Sequence, residues 1–225
     1  MTGDELRQRN IAVMGDELGT QYSALFEEFT ALYLYWNEFI ELFATSDKRI
    51  ERLNKSASGF FQMLQEQQFE TNMLSLARLT DSPATGTKQN LTVCNLPNLV
   101  TDAGLKQKLT GLVDDVKQKT EFCREWRNRR FAHRDLKLAL QDGGAKPLPA
   151  ATKESFFEAL EAVSDLLNAM ERFYYKGGCS FKDIAPHNGV GTLLFILGFG
   201  VVGRERMQEK IAKGDFDLLD TPENI

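Results

Sequence analysis

The chain is 225 residues long, 42% hydrophobic, 10% aromatic and 26% charged, which excludes collagen-like, mucin-like and wholly disordered classes. Its 27 basic residues against 32 acidic ones leave a formal net charge of −5, so the chain as a whole gives no reason to expect nucleic acid. At about 150 residues per domain, this length suits one elaborated domain that can bury a core unaided. Three widely spaced cysteines (Cys94, Cys123, Cys179), without a CxxC pair, fit a reducing cytoplasm and argue against a disulfide framework or a zinc knuckle.

The N-terminal MTGDELRQRN is polar and carries acidic residues, which predicts neither a signal nor a transit peptide. From Tyr22 to Phe43 the apolar residues fall at Leu25, Phe29, Leu32, Trp36, Phe39 and Phe43, steps of four and three that mark one helical face. Tyr22, Phe26, Tyr33 and Ile40 widen that face, as expected of a central helix buried on two sides. Core packing, rather than a ligand box, is the reading of these aromatics. A second helical stretch is expected after Ser46 and a third over about Phe60 to Leu79. The cluster Asp81-Ser-Pro-Ala-Thr-Gly86 then breaks the pattern. Asn90 to Val100, with Pro97, is ambiguous. Thr101 is the expected cap of a helix whose stripe is Leu105, Leu109, Leu112, Val116, Cys123 and Trp126.

After a polar link from Gln141 to Ala151, Thr152 is expected to cap a helix carrying Phe156, Leu160, Val163, Leu167, Met170 and Tyr174 on one face. Gly177-Gly178 should end it. A last helix is expected from about Gly191 to Lys213, ahead of an acidic tail expected to fray. The longest apolar stretch, Val190 to Val202, is broken by glycines and falls short of the roughly 20 residues a spanning helix needs, so no membrane partner is expected and the protein should be soluble. There is no alternating strand and no repeat. The fold class is therefore all-α, a bundle of about six or seven helices. Residues 1–178 form the bundle, and residues 179–225 a C-terminal helical extension packing on the same domain.

Charge is unevenly placed. Between Arg124 and Lys137 lie Arg124, Arg127, Arg129, Arg130, Arg134 and Lys137 against Glu125 and Asp135, a local +4 that leaves −9 for the remainder. Such an island is either a local anion site or a solvated helix end favoured by the dipole. Gly198-Phe-Gly200-Val-Val-Gly203 matches GxGxxG, but only 22 residues follow Gly203, too few for a dinucleotide-binding sheet. Small residues allowing close helix packing are the better reading. Of the two histidines, His187 sits in the turn-like Ala185-Pro-His-Asn-Gly189. Neither has local partners for a metal, so no metal site and no cofactor is expected. Cys123 lies on an apolar stripe and reads as core.

His133 stands in Arg127-Asn128-Arg129-Arg130-Phe131-Ala132-His133. On a continuing helix Arg127 and His133 lie about 9 Å apart along the axis and on different faces, unless the helix ends or bends between them. A guanidinium binds phosphate through two directed hydrogen bonds. An imidazole exchanges protons near neutral pH. With Asn128 as a polar positioner, this pair suffices for phosphodiester transesterification without a metal.

Arg-Asn-x3-Ala-His after an amphipathic helix, in an all-α chain, resembles the Arg-x4-6-His signature of the HEPN superfamily. An aromatic-rich early helix, Leu76-Ala-Arg-Leu-Thr-Asp81, Asn90-Leu-Thr and then RNRRFAH resemble its abortive-infection U-type (AbiU-like) branch. The likeness spans about residues 20 to 205, with Arg127–His133 its specific part. It implies a HEPN-like helical fold and a cytoplasmic homodimer with two motif copies at the subunit interface. It also implies RNA cleavage without metal, and a role in phage defence or in a toxin–antitoxin pair with a cognate antitoxin. Carried onto this sequence, the catalytic residues are Arg127, Asn128 and His133. The RNA-binding residues are Arg124, Arg129, Arg130 and Arg134, and the supporting positions are Arg78, Asp81 and Asp135. The alternative is a non-catalytic module of the same fold that binds RNA, a nucleotide or a partner protein.

Overall fold

The computed structural model describes residues 2–215 and is all-α. Among the described residues there are nine α-helices: α1 Gly3–Met14, α2 Asp16–Phe43, α3 Asp47–Leu79, α4 Leu96–Leu99, α5 Ala103–Lys119, α6 Glu121–Trp126, α7 Leu136–Ala139, α8 Lys153–Tyr175 and α9 Val190–Ala212. Six of them, α1, α2, α3, α5, α8 and α9, run for 12 residues or more. The only strands among the described residues are the two-residue β1 (Ala84–Thr85) and β2 (Lys88–Gln89). They pair antiparallel, Ala84 against Gln89, and turn through Gly86 at φ +61°, a conformation glycine adopts without strain. No helix of the described residues is long and apolar enough to cross a membrane.

Two compact units divide the chain. The first takes in the chain to Trp36 and Phe69–Ile184; the second takes in Asn37–Gln68 and the chain from Ala185 onward. The first unit's core follows the aromatic stripe of α2. Tyr22, Leu25, Phe29, Leu32, Tyr33 and Trp36 are all buried. Phe181 packs edge-on against Phe29 at 4.7 Å between ring centroids, and Trp36 stacks on Phe156 of α8 at 3.7 Å. Burying each such ring is worth about 1.5–3 kcal/mol. α5 packs along α8, contributing Leu105, Leu109, Val113 and Val116 to the face formed by Leu160, Val163, Leu167 and Met170.

Several local expectations are corrected. α1 is a helix that the apolar pattern of the sequence does not predict. It is polar, starts at a Thr2–Glu5 capping box and buries Asn10 rather than an apolar stripe. Asn10 donates to Ser23 Oγ (2.9 Å) and accepts from the Tyr175 hydroxyl (2.6 Å). Gly19 lets α1 and α2 touch, since a methyl group there would stand 2.6 Å from the Asn10 carbonyl oxygen. α5 is capped by Asp102, whose Oδ1 accepts from Leu105 N at 2.7 Å, and not by Thr101. Lys176, at φ +55°, ends α8 in the left-handed conformation, ahead of Gly177-Gly178. Thr152 caps α8 as expected, with Ser155 completing a capping box.

The two helical stretches expected after Ser46 and over about Phe60 to Leu79 are the two parts of α3, separated by non-helical backbone at Ala57 (φ −159°, ψ 75°). Glu38 accepts from Val190 N at the start of α9 (2.7 Å), and Arg52 donates to Leu194 O (3.0 Å). The GxGxxG segment is helical. Only Gly198 is closely approached, by the Arg52 guanidinium, while Gly200 and Gly203 face open space, so no helix packs tightly across these glycines. The face of α9 turned away from Leu194 carries Phe195, Ile196 and Phe199, which are 64%, 61% and 67% exposed. Apart from Gly214 and Asp215, the acidic tail expected to fray lies outside the described residues.

Candidate RNA-processing site

The helix bearing the basic island does not continue to His133. α5 breaks at buried Thr120, whose hydroxyl donates to Val116 O (2.7 Å), and α6 restarts one residue later. At Arg127 the coil widens. Arg127–Phe131 form a π-helical turn, closed where Ala132 N donates to Arg127 O at 2.8 Å. Wide turns of this kind insert a residue into the helical register and are frequent at functional sites. The helix ends at Phe131, so it stops between Arg127 and His133. His133 lies just beyond, exposed, and among the described residues it has no hydrogen-bond or ion-pair partner.

Arg127 is held from two sides. Its Nη1 pairs with Asp81 Oδ2, and its Nε donates to Asn128 Oδ1 at 3.1 Å. The Arg127 and Asp81 side chains are 24% and 25% exposed. Asp81 sits just past the end of α3, its backbone N–H on the Arg78 carbonyl (3.3 Å). It is fixed from the other direction by Thr92, whose hydroxyl donates to Asp81 O at 2.7 Å. Three of the predicted residues, Arg127, Asn128 and Asp81, thus share one hydrogen-bonded cluster, built from segments 46 residues apart in sequence.

The other arginines divide. Arg129 points into the fold: its Nη2 donates to Lys146 O (2.6 Å), its Nε to Asp135 Oδ2 (3.4 Å), and its Nη1 lies 3.5 Å from Glu125 without hydrogen-bond geometry. Asp135 caps α7 through Leu138 N (3.2 Å), and that bond, reinforced by Arg129, holds its carboxyl below the usual carboxylate range. Arg124 turns back across the break to Thr120 Oγ1 (2.8 Å) and to Lys117 O of α5. Arg130 lies over the Trp126 ring at 5.6 Å. Trp126 is packed against Phe69 and Phe131, and its Nε1 donates to Pro149 O (2.9 Å), tying the polar link to the site. Arg134 is exposed beside His133. Arg78 is set apart from the Arg127 cluster, donating to Ser75 Oγ (3.3 Å) and lining a groove between α2 and α3.

The thiols are unsuited to nucleophilic work. Cys123 is fully buried, its Sγ 3.6 Å from Met73 Sδ, and burial pushes its thiol far up. Burial also raises Cys94 and Cys179. Among the described residues no group of three or more His, Cys, Asp or Glu side chains could hold a metal ion. Sequence reasoning missed Glu125 as a partner of Arg129, although its four-residue spacing on one helix was a usable signal. No curated protein and no solved structure matches the chain. With residues 15–191, from the residue before α2 to the first turn of α9, matching the model of the HEPN_AbiU2 family (AbiU2), the chain belongs to that family.

Proposed function

We propose that the protein is a metal-independent endoribonuclease of HEPN type, acting in the cytoplasm as a homodimer in phage defence or as a toxin with a cognate antitoxin. The observation that carries this reading is the Asp81–Arg127–Asn128 cluster, placed just before a helix end that leaves His133 open to solvent. His133 removes the proton of a ribose 2′-hydroxyl. The 2′-oxygen attacks the adjacent phosphorus, and the P–O5′ bond breaks, giving a 2′,3′-cyclic phosphate and a 5′-hydroxyl once the leaving oxygen is protonated. Arg127 supplies fixed positive charge where the phosphorane becomes more negative, the kind of preorganised electrostatic help that often dominates rate. Asp81 and Asn128 position it. Arg130 and Arg134 contact flanking phosphates, while Arg124 and Arg129 add to the local field and hold the segment's shape.

The homodimer is supported by α9. Thr192, Phe195, Phe199, Val202 and Arg206 recur at steps of three, four, three and four on its exposed side, the spacing of a helix-pairing seam. Parallel pairing would set Arg206 against Arg206, whereas antiparallel two-fold pairing through Phe199 sets it against Thr192.

The test is incubation of pure protein with total RNA in excess EDTA. Cleavage should persist, end in cyclic phosphates, and fall at least about 10²- to 10⁴-fold in His133→Ala. Intact RNA that is still bound would leave the non-catalytic module as the function.

A further inference from the structure

Just before Asp81 in the chain, α2 and the C-terminal half of α3 each turn one face toward a shared groove of about 510 Å³. α2 contributes Glu28 and Tyr35, two turns apart; α3 contributes Ser75 and Arg78, one turn apart; Leu91 closes it from the following loop. Its volume is within the range of small-ligand pockets. The groove meets the site through the backbone, because the Arg78 carbonyl accepts from the N–H of Asp81, the carboxylate that holds Arg127.

Its chemistry is mixed in a particular way. The Tyr35 ring is 57% exposed and Leu91 44% exposed, an aromatic and an aliphatic surface left uncovered among polar groups. Glu28 and its neighbour Glu27 line the groove as carboxylates without cationic partners among the described residues. A phosphate would be repelled by them. A nucleobase would not, since carboxylates accept from ring N–H and amino groups and an exposed ring offers a stacking face. Guanine presents two adjacent donors, N1–H and N2–H, that suit one carboxylate's two oxygens; uracil presents a single N–H. Arg78, at the groove's end toward Asp81, is the group fit for the attached phosphate.

We infer that the groove between Glu28–Tyr35 and Ser75–Arg78 binds an unpaired guanine of the RNA next to the cleaved linkage, stacked on Tyr35 and read by Glu27 and Glu28. This rests on the ribonuclease reading, whose site it extends into a base-selecting one.

The experiment measures binding apart from cleavage. Fluorescein-labelled 2′-O-methyl octamers, which cannot undergo transesterification, carry either one guanine in a uracil background or uracil throughout. Their affinity for the full chain is read by anisotropy across a salt series. Wild type should prefer the guanine octamer. Tyr35→Ala should weaken it about 5- to 150-fold, the worth of one stacked base, while Tyr35→Phe retains it. Glu27→Gln with Glu28→Gln should remove the guanine preference, and Arg78→Gln should lower the log–log salt slope by about 0.7. Tyr35 is exposed, so its variants should keep the wild-type circular dichroism spectrum. If Tyr35→Ala binds with wild-type affinity and base preference, the groove is idle and this inference alone falls. If wild type binds neither octamer, the ribonuclease reading falls with it.

Discussion

A guanidinium paired with a carboxylate is held in place, but its charge is also partly spent. Arg127 and Asp81 show both effects: each is about three-quarters covered, and the pair joins the end of α3 to the π-helical turn. Exposed pairs contribute about 0.2–1 kcal/mol and breaking a buried one costs about 3–5 kcal/mol; this part-covered pair falls between, toward the lower figure because both side chains still reach solvent. Replacing Asp81 with Ala should therefore shift the melting temperature by only a few degrees. It should lower kcat for RNA cleavage about 10- to 100-fold, with KM changed far less, because a group misplaced by about 1 Å can cost that much. Asp81→Asn, which still accepts from Nη1, should fall between. Thermal melts beside steady-state cleavage check this, and a loss of stability without a loss of kcat would make Asp81 a structural residue only.

At the scale of elements, the π-helical turn sets the bearing of everything after it. Inserting one alanine after Arg130 adds a residue that the wide turn does not already absorb, and should swing His133 by about 100° relative to Arg127. The expected result is a helical, folded protein with cleavage reduced to the level of His133→Ala, whereas Arg130→Ala, keeping the turn, loses only one phosphate contact. Comparing the two by circular dichroism and RNA cleavage separates geometry from charge. That turn was not legible in the sequence, because no residue type in Arg127–Phe131 demands a wide coil. The long amphipathic helices were. Phe29 and Trp36 on α2, and Leu160 and Leu167 on α8, keep a strict helical period because each faces a dry interior. α1 is not legible in the sequence, since its fastening is polar and comes from Tyr175, 165 residues away from Asn10. Asp81 is implied by the family likeness alone, and its pairing with Arg127 depends on tertiary folding that periodicity does not encode. Glu28 and Tyr35 meet Arg78 for the same reason, and nothing local marks them.

For the whole molecule, the exposed face of α9 is the seam of the proposed homodimer. The Phe195 and Phe199 rings contact each other at 4.8 Å and otherwise face solvent. An uncovered apolar strip of this kind marks an interaction site. On the homodimer proposal, the wild-type chain should sediment as a dimer and Phe195→Asp with Phe199→Asp as a monomer by analytical ultracentrifugation, with helical content unchanged and cleavage abolished if the working site needs two motif copies. A double variant that sediments as wild type would remove α9 from the interface. Stability, too, is distributed unevenly. The core of α2, α5 and α8 is dry, whereas α1 is fastened by Asn10, by Arg9 over the Tyr175 ring at 4.0 Å, and by the close approach at Gly19. An element with so little buried apolar surface detaches at a free energy well below that of global unfolding. α1 is thus expected to open ahead of the helices beneath it, its amides exchanging with solvent while they stay closed. Each such opening removes one wall of the groove of about 740 Å³ that Leu6 and Arg7 form with Ser23 and Phe26, so that face of α2 is a surface the protein uncovers intermittently.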